Sequence, residues 1–146
     1  MKAVIQRVQD ASVSVEGTIT GQIDHGLLVY LGIGHDDTVA QLAWLCEKIV
    51  KLRVFTDEQG KMNKSLSDVQ GSILVVSQFT LLANLRKGNR PSYNDAAPPQ
   101  KAEALYEQSL KLFAQLGFPV SSGEFGAHMK VSYTNDGPVT LLLEAE

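Results

Sequence analysis

The chain reads as an α+β fold, a curved and mainly antiparallel sheet carrying two helices, and three observations predict it. Residues 3–15 and Thr18 to Ile23 alternate apolar and polar side chains, the period of a half-buried strand. Two later stretches repeat their apolar residues at helical spacing instead. The final third returns to strand patterning on both sides of a Gly-Pro step, Asn135-Asp136-Gly137-Pro138-Val139-Thr140.

Taken in order, the first two alternating runs meet at Glu16-Gly17, a turn pair that predicts an opening hairpin. Leu27 to Ile33 is a short apolar run between Gly26 and Gly34 and reads as a buried strand. Leu42, Leu45, Cys46, Ile49 and Leu52 then form a helical stripe, with Asp36, Asp37 and Thr38 offering caps and acidic first-turn residues. Trp44 falls off that stripe, so it either packs at the helix edge or lies under a partner subunit. Arg53 to Phe55, followed by Asp57-Glu58-Gln59-Gly60, suggests a short strand and a turn. Gly71 to Ala83 is apolar enough for a buried strand. A second helix begins after Pro98-Pro99, with Ala102, Leu105, Tyr106, Ser109, Phe113 and Leu116 on one face, and Gly117 and Pro119 stop it. Lys130 to Tyr133 and Val139 to Leu143 are the last strands, bracketing the Gly-Pro step.

Composition narrows the classes. A chain of 146 residues, 44% hydrophobic and 20% charged, fits one domain spanning 1–146 and can bury a core without disulfides or metal. The N-terminus enters a strand pattern with no charged-then-apolar leader, and no apolar run approaches the roughly 18 residues of a membrane span, so cytoplasmic residence is the expectation. The single cysteine, Cys46, lies on the apolar helical stripe and reads as a buried structural thiol. His25, His35 and His128 are scattered without ligand spacing, so neither a metal nor another cofactor is expected. A net charge of −3 argues against general attraction to nucleic acid. Any RNA contact must rest on a local patch, and Arg86, Lys87 and Arg90 in the polar, Pro-containing stretch from Asn84 to Pro99 are the candidates; solvated loop charges are the alternative.

Two segments carry chemistry. Within the apolar run at 71–83, Ser77, Gln78 and Thr80 place polar groups where burial demands partners or a task. At 135–140 proline has no N–H for a ladder, glycine lets the backbone turn, and a cis peptide is cheap before proline, so the strand is interrupted and its carbonyls are turned out as acceptors. An edge bulge or an ordinary turn is the plainer reading of the same hexapeptide. The segments Ser77-Gln78-Phe79-Thr80-Leu81 and Asn135 to Thr140 resemble the two signature motifs of the D-aminoacyl-tRNA deacylase family. The resemblance extends through Ala3-Val4-Ile5-Gln6-Arg7-Val8, Gly60-Lys61-Met62-Asn63, Arg86-Lys87-Gly88 with Arg90-Pro91-Ser92, and Phe125-Gly126-Ala127 with Met129. His128 stands where the family has an acidic residue, and Asn84 where aspartate is common.

The resemblance implies a barrel-like sheet, a homodimer, and hydrolysis of the ester joining a D-amino acid to tRNA. It implies that Gly137-Pro138 is cis and reaches into the partner's pocket. There its carbonyls, beside Val139, would bind the substrate amino group and fill the volume an L side chain needs. Glycyl-tRNA, with no side chain to reject, would pass. The residues themselves contain no nucleophile elbow, triad or carboxylate pair. An aminoacyl ester is already activated, so positioning and oxyanion stabilisation suffice in principle, with N–H groups around Phe79 and Thr80 as donors. Ser77 and Thr80 either orient water or ribose, with the ribose 2′-hydroxyl assisting proton transfer, or merely cap strand-end backbone. Phe125 and Met129 line the pocket or belong to the core. Arg7, among alternating apolar residues, either fixes the Gly-Pro loop or is a surface cation. Two other functions compete: a sibling deacylase of L-alanine mischarged on tRNA, and a non-catalytic RNA- or DNA-binding module built on Arg86, Lys87 and Arg90. The lack of an aromatic stacking array counts against the latter.

Overall fold

A computed structural model describes residues Met1–Glu146. In chain order the elements are β1 (Lys2–Val15), β2 (Thr18–Gly32), α1 (Val39–Lys51), β3 (Phe55–Thr56), β4 (Met62–Lys64), β5 (Ser72–Ser77), a 3-10 turn (Phe79–Leu82), α2 (Pro99–Gln115), β6 (Val120–Ser122) and β7 (Lys130–Glu144). Five strands form one sheet in the order β6-β5-β2-β1-β7, and β3 with β4 makes a separate small hairpin. The long ladders of β1 with β2 and with β7 are antiparallel, while β2–β5 and β5–β6 are short parallel pairings. The sheet is therefore mixed and open, with β6 and β7 as its edges, and the two helices pack together beside it.

Three boundaries differ from the sequence pattern, each for a physical reason. The runs at 18–23 and 27–33 are one strand, because Gly26 at φ 144 lets the backbone pass directly over Ser72 of β5, where any Cβ would run into the Ser72 carbonyl. Leu52 and Leu116 lie just past α1 and α2 as capping residues, and Leu116 is exposed rather than on the buried face. Asp37 is not a first-turn acid of α1. It turns inward, where Oδ1 accepts from the Met1 ammonium at 2.8 Å and Oδ2 from Gly34 N at 2.6 Å. Both partners are almost fully buried, and a buried ion left without its partner costs about 3–5 kcal/mol. Thr38 is the cap, its N–H donating to Gln41 Oε1 at 2.6 Å.

The core has two parts because β2 and β5 are covered on both faces. Leu27, Val29, Leu31, Ile73 and Val75 face the helices together with Ala3 and Ile5. Leu28, Leu74 and Val76 face the other way and meet Val8, Ala11, Val13 and Ile23. Such two-sided burial is why these strands read as continuous apolar runs. β1 changes sides at a bulge: Gln9 pairs with Thr134 and Ser12 with Ser132, so Asp10, at φ 53, and Ala11 together oppose Tyr133. One extra residue keeps Ala11 and Val13 on the face of Val8 instead of flipping them to solvent.

Candidate active site

β5 ends at Ser77, and Gln78 N makes its last sheet contact, donating to Leu31 O at 2.8 Å. The chain then tightens into the 3-10 turn, in which Leu81 N and Ala83 N donate back to Gln78 O and Thr80 O. The first N–H groups of such a turn, those of Phe79 and Thr80, have no acceptor inside it. Next to this point lies a cavity of about 710 Å³. Ser77, Gln78 and Phe79 form one side, and Phe125, His128 and Met129 another. Pro98, Pro99 and Ala102 at the start of α2 close the back.

The Thr80 side chain is not on the cavity wall. It is half-buried behind the wall, and its Oγ1 accepts a hydrogen bond from Gln78 Nε2. That leaves the hydroxyl proton free to donate and gives the oxygen no base to activate it. Phe79 is half-exposed and meets Tyr93 edge-to-face with centroids 5.0 Å apart, so an aromatic pair stands at the cavity mouth. Phe125 is held against Tyr106 at 5.9 Å, and Tyr106 donates to Val75 O at 2.9 Å beneath the cavity. Burial pushes the Tyr106 hydroxyl up to about 12, which keeps it a donor across the physiological range. Met129 packs onto the second core cluster, so it belongs to both the wall and the core. His128 is exposed at the rim.

Gly137, Pro138 and Val139 do not line this cavity. They sit on edge strand β7, where Gln6 pairs with Thr140 and Val8 with Asn135, so the single residue Arg7 opposes the four from Asp136 to Val139. The Gly137-Pro138 peptide is cis, and Gly137 has φ 123. Arg7 is no surface cation: its side chain is only 12% exposed and fastens the bulge. Its Nε donates to Asp136 O at 3.2 Å and lies 3.2 Å from Asp136 Oδ2, while Nη1 donates to Val54 O at 2.8 Å. One guanidinium fork thus ties the Gly-Pro bulge to the segment leading into β3.

Arg86, Lys87 and Arg90 are exposed in a loop closed at its neck by the Asn84 and Ser92 backbones, with N···O distances of 2.8 and 3.1 Å. Asn84 Oδ1 also accepts from Arg86 N at 3.0 Å, a turn that aspartate would make equally well. The same stretch supplies Tyr93, Asn94 and Ala96 to the cavity, so the cationic loop and the cavity mouth are parts of one connection. The sequence reading missed His35, Tyr93 and Asn94 as wall residues. His35 donates to Asn94 O at 2.7 Å, a pairing 59 positions apart that no local pattern announces. No group of three His, Cys, Asp or Glu side chains is gathered where it could hold a metal ion.

Residues 4–144 match the family model described as D-Tyr-tRNA(Tyr) deacylase. A D-aminoacyl-tRNA deacylase of Opitutus terrae is 58% identical over 146 residues, covering 99% of this chain and 97% of that protein. One of Thermosipho africanus is 55% identical, covering 100% and 98%. Among solved structures, one titled c-Myc DNA Unwinding Element Binding Protein superposes with a TM-score of 0.94 at 46% identity, covering 100% of this chain and 99% of the other. A probable eukaryotic D-amino acid tRNA deacylase shares the fold, with a TM-score of 0.82 at 17% identity and 97% coverage of each chain.

Proposed function

The chain belongs to the D-Tyr-tRNA(Tyr) deacylase family, and from that premise we propose that it hydrolyses the ester of D-aminoacyl-tRNA, and of glycyl-tRNA, while sparing L-aminoacyl esters. The observation that carries the reading is the cavity beside the Ser77-Gln78-Phe79 strand end, large enough for an aminoacylated terminal adenosine and walled mainly by apolar residues. Water adds to the ester carbonyl, the ribose oxygen leaves and takes up a proton, and free D-amino acid and tRNA result. The Phe79 and Thr80 N–H groups face the oxygen where charge develops. Ser77, on the wall, donates to water or ribose, Thr80 orients Gln78 from behind the wall, and the neighbouring 2′-hydroxyl of the substrate assists the proton transfer. Phe125 and Met129 hold the adenosine end.

Selectivity comes from Gly137, Pro138 and Val139. Because they stand outside the cavity of their own chain, on an edge strand, they act in the cavity of a second copy, so the working form is a homodimer. Main-chain carbonyls at the Gly-Pro step take the substrate ammonium and leave no volume for an L side chain. The D side chain points to solvent, so the filter reads chirality and not side-chain identity. Arg86, Lys87 and Arg90 receive the acceptor-stem phosphates, and the enzyme works in the cytoplasm. The test is hydrolysis of D-Tyr-, L-Tyr- and Gly-tRNA side by side with chelator present. Release from the first and third, with the second spared, is expected; equal rates on D and L esters overturn the filter, and no hydrolysis at all overturns the activity.

A second reading has one observation in its favour, the 46% identical structure named for binding a DNA element. Under it, Arg86, Lys87 and Arg90 serve duplex DNA and the cavity is incidental. Titrating duplex DNA and tRNA over a range of salt separates the two. Tighter binding to DNA at physiological salt, without deacylation, favours the second; binding to tRNA whose salt slope falls when Arg86 and Lys87 become alanine favours the first.

A further inference from the structure

The bulge carrying Gly137-Pro138 opens the β1–β7 ladder between the Gln6–Thr140 and Val8–Asn135 pairs, and backbone groups there lose their ladder partners. Side chains fill the gap. With the Asn135 amide in the orientation that satisfies its neighbours, Nδ2 donates to Arg7 O at 3.1 Å and to Val139 O at 3.0 Å. Its Oδ1 accepts from Thr140 Oγ1 at 2.9 Å and from Gln6 Nε2 at 3.2 Å. Gln6 Nε2 also donates to Thr140 Oγ1 at 3.0 Å, and Gln6 Oε1 accepts from the Tyr133 hydroxyl at 2.7 Å. Hydrogen bonds thus run in one direction, from Tyr133 through Gln6, Thr140 and Asn135 to two carbonyls at the neck of the loop.

We infer that Asn135, Thr140, Gln6 and Tyr133 are a positioning network that aims the Gly137-Pro138 main chain and thereby sets the preference between D and L substrates. The inference rests on the reading of Gly137-Pro138 as the chiral filter. Two features argue for aim rather than mere stability. β7 has no neighbour on its outer side, so the neck of the bulge is held within this chain by Arg7 at Asp136 and by Asn135 at its base. The other end of the network abuts the cavity wall: Tyr133 packs on the cluster that contains Val76, against which Met129 and Val131 also pack, and Val76, Met129 and Val131 all line the cavity. None of the four residues lines the cavity itself, so each works through the loop.

Thr140→Val removes the hydroxyl at equal volume, Thr140→Ser keeps it, Asn135→Asp keeps the acceptor but loses both donors, and Tyr133→Phe deletes only the distant hydroxyl. For each variant kcat and KM are measured on D-Tyr- and L-Tyr-tRNA, together with deuterium exchange of the 134–141 amides and the melting temperature. Thr140→Val and Asn135→Asp are expected to lower the D/L ratio of kcat/KM about tenfold, the worth of roughly one or two hydrogen bonds, and to speed exchange at 134–141. Thr140→Ser is expected to restore both. A folded Thr140→Val protein that exchanges and discriminates like the wild type overturns the inference, as does one whose D and L rates fall by the same factor. If Thr140→Val does not fold, Tyr133→Phe decides by the same two readouts. A wild-type protein without D/L preference would refute the filter, while the exchange data would still decide whether the network holds the loop.

Discussion

Gly137 stands at a position that only glycine fits without strain. At φ 123 an L side chain is strained, and an added Cβ would stand 3.0 Å from both Arg7 Nη2 and Val139 Cγ2. Gly137→Ala is therefore expected to cost about 1–3 kcal/mol of stability. It should also cut D-Tyr-tRNA turnover at least about tenfold, since relief of the clash displaces the guanidinium that fastens the loop. Thermal melts and single-turnover assays report the two effects separately. Thr80 makes a different prediction because its hydroxyl stands behind the wall, bonded to Gln78. Thr80→Ala is expected to lower kcat about 10- to 100-fold with KM nearly unchanged, and Thr80→Ser to recover most of it. Wild-type rates in both variants would assign the chemistry to backbone N–H groups alone. Arg7 was ambiguous as a letter in an alternating strand. Only the fold revealed that its guanidinium spans from β1 to Asp136 on one side and Val54 on the other.

At the scale of elements, α1 and α2 bury the groups that govern alkaline stability. Burial pushes the Cys46 thiol from its ordinary 9.0 up to about 12, and burial likewise raises Tyr106 from 10.0 to about 12. Both are acids whose folded pKa is raised, so the native state holds more protons than the unfolded chain between the two values. The stability they contribute is complete below about pH 9 for the thiol and about pH 10 for the phenol, and is lost as pH rises toward 12. Urea midpoints are expected to decline from about pH 9 upward, and Cys46→Ala to delay the onset to about pH 10. An onset unchanged by Cys46→Ala would contradict the buried assignment. The strands were the less legible elements. β2 reads as two pieces because Asp24, His25 and Gly26 break the apolar pattern, yet backbone pairing to β1 continues through them. A period-based reading sees side chains, whereas a ladder is made by the backbone.

Across the whole molecule, the proposal that Gly137-Pro138 acts in the cavity of a second copy requires an active unit larger than one chain. Edge strand β7 also exposes Leu141 and Leu142, apolar surface of the kind a partner covers. Subunits defective in the cavity, by Thr80→Ala with Gln78→Ala, and subunits defective in the loop, by Gly137→Ala, should each be inactive as pure dimers. Mixed and re-annealed, half the dimers would be hybrids, each with one intact site, and activity is expected to return to about a quarter of wild type. No recovery from verified hybrids would place loop and cavity in the same chain. No helix is long and apolar enough to cross a membrane.

The sequence alone determined the α+β class, both helices, the stop of the second and the opening hairpin, and it singled out the two segments on which the proposed chemistry rests. Those features are written in local periodicity, in capping residues and in polar groups set within apolar runs. Tertiary structure decided what local patterns cannot encode. Parallel pairing of β2 with β5 and β5 with β6 made the sheet mixed, because strand order depends on crossovers and not on the strands' own letters. The turn of Asp37 away from α1 and toward the chain's own ammonium required a partner 36 positions away. So did the walls contributed by His35, Tyr93 and Asn94, and the Asn135–Thr140–Gln6–Tyr133 chain, whose members are ordinary polar residues until two strands bring them within hydrogen-bond reach. A hydrogen bond acts over about 3 Å of space, and sequence separation leaves that distance undetermined.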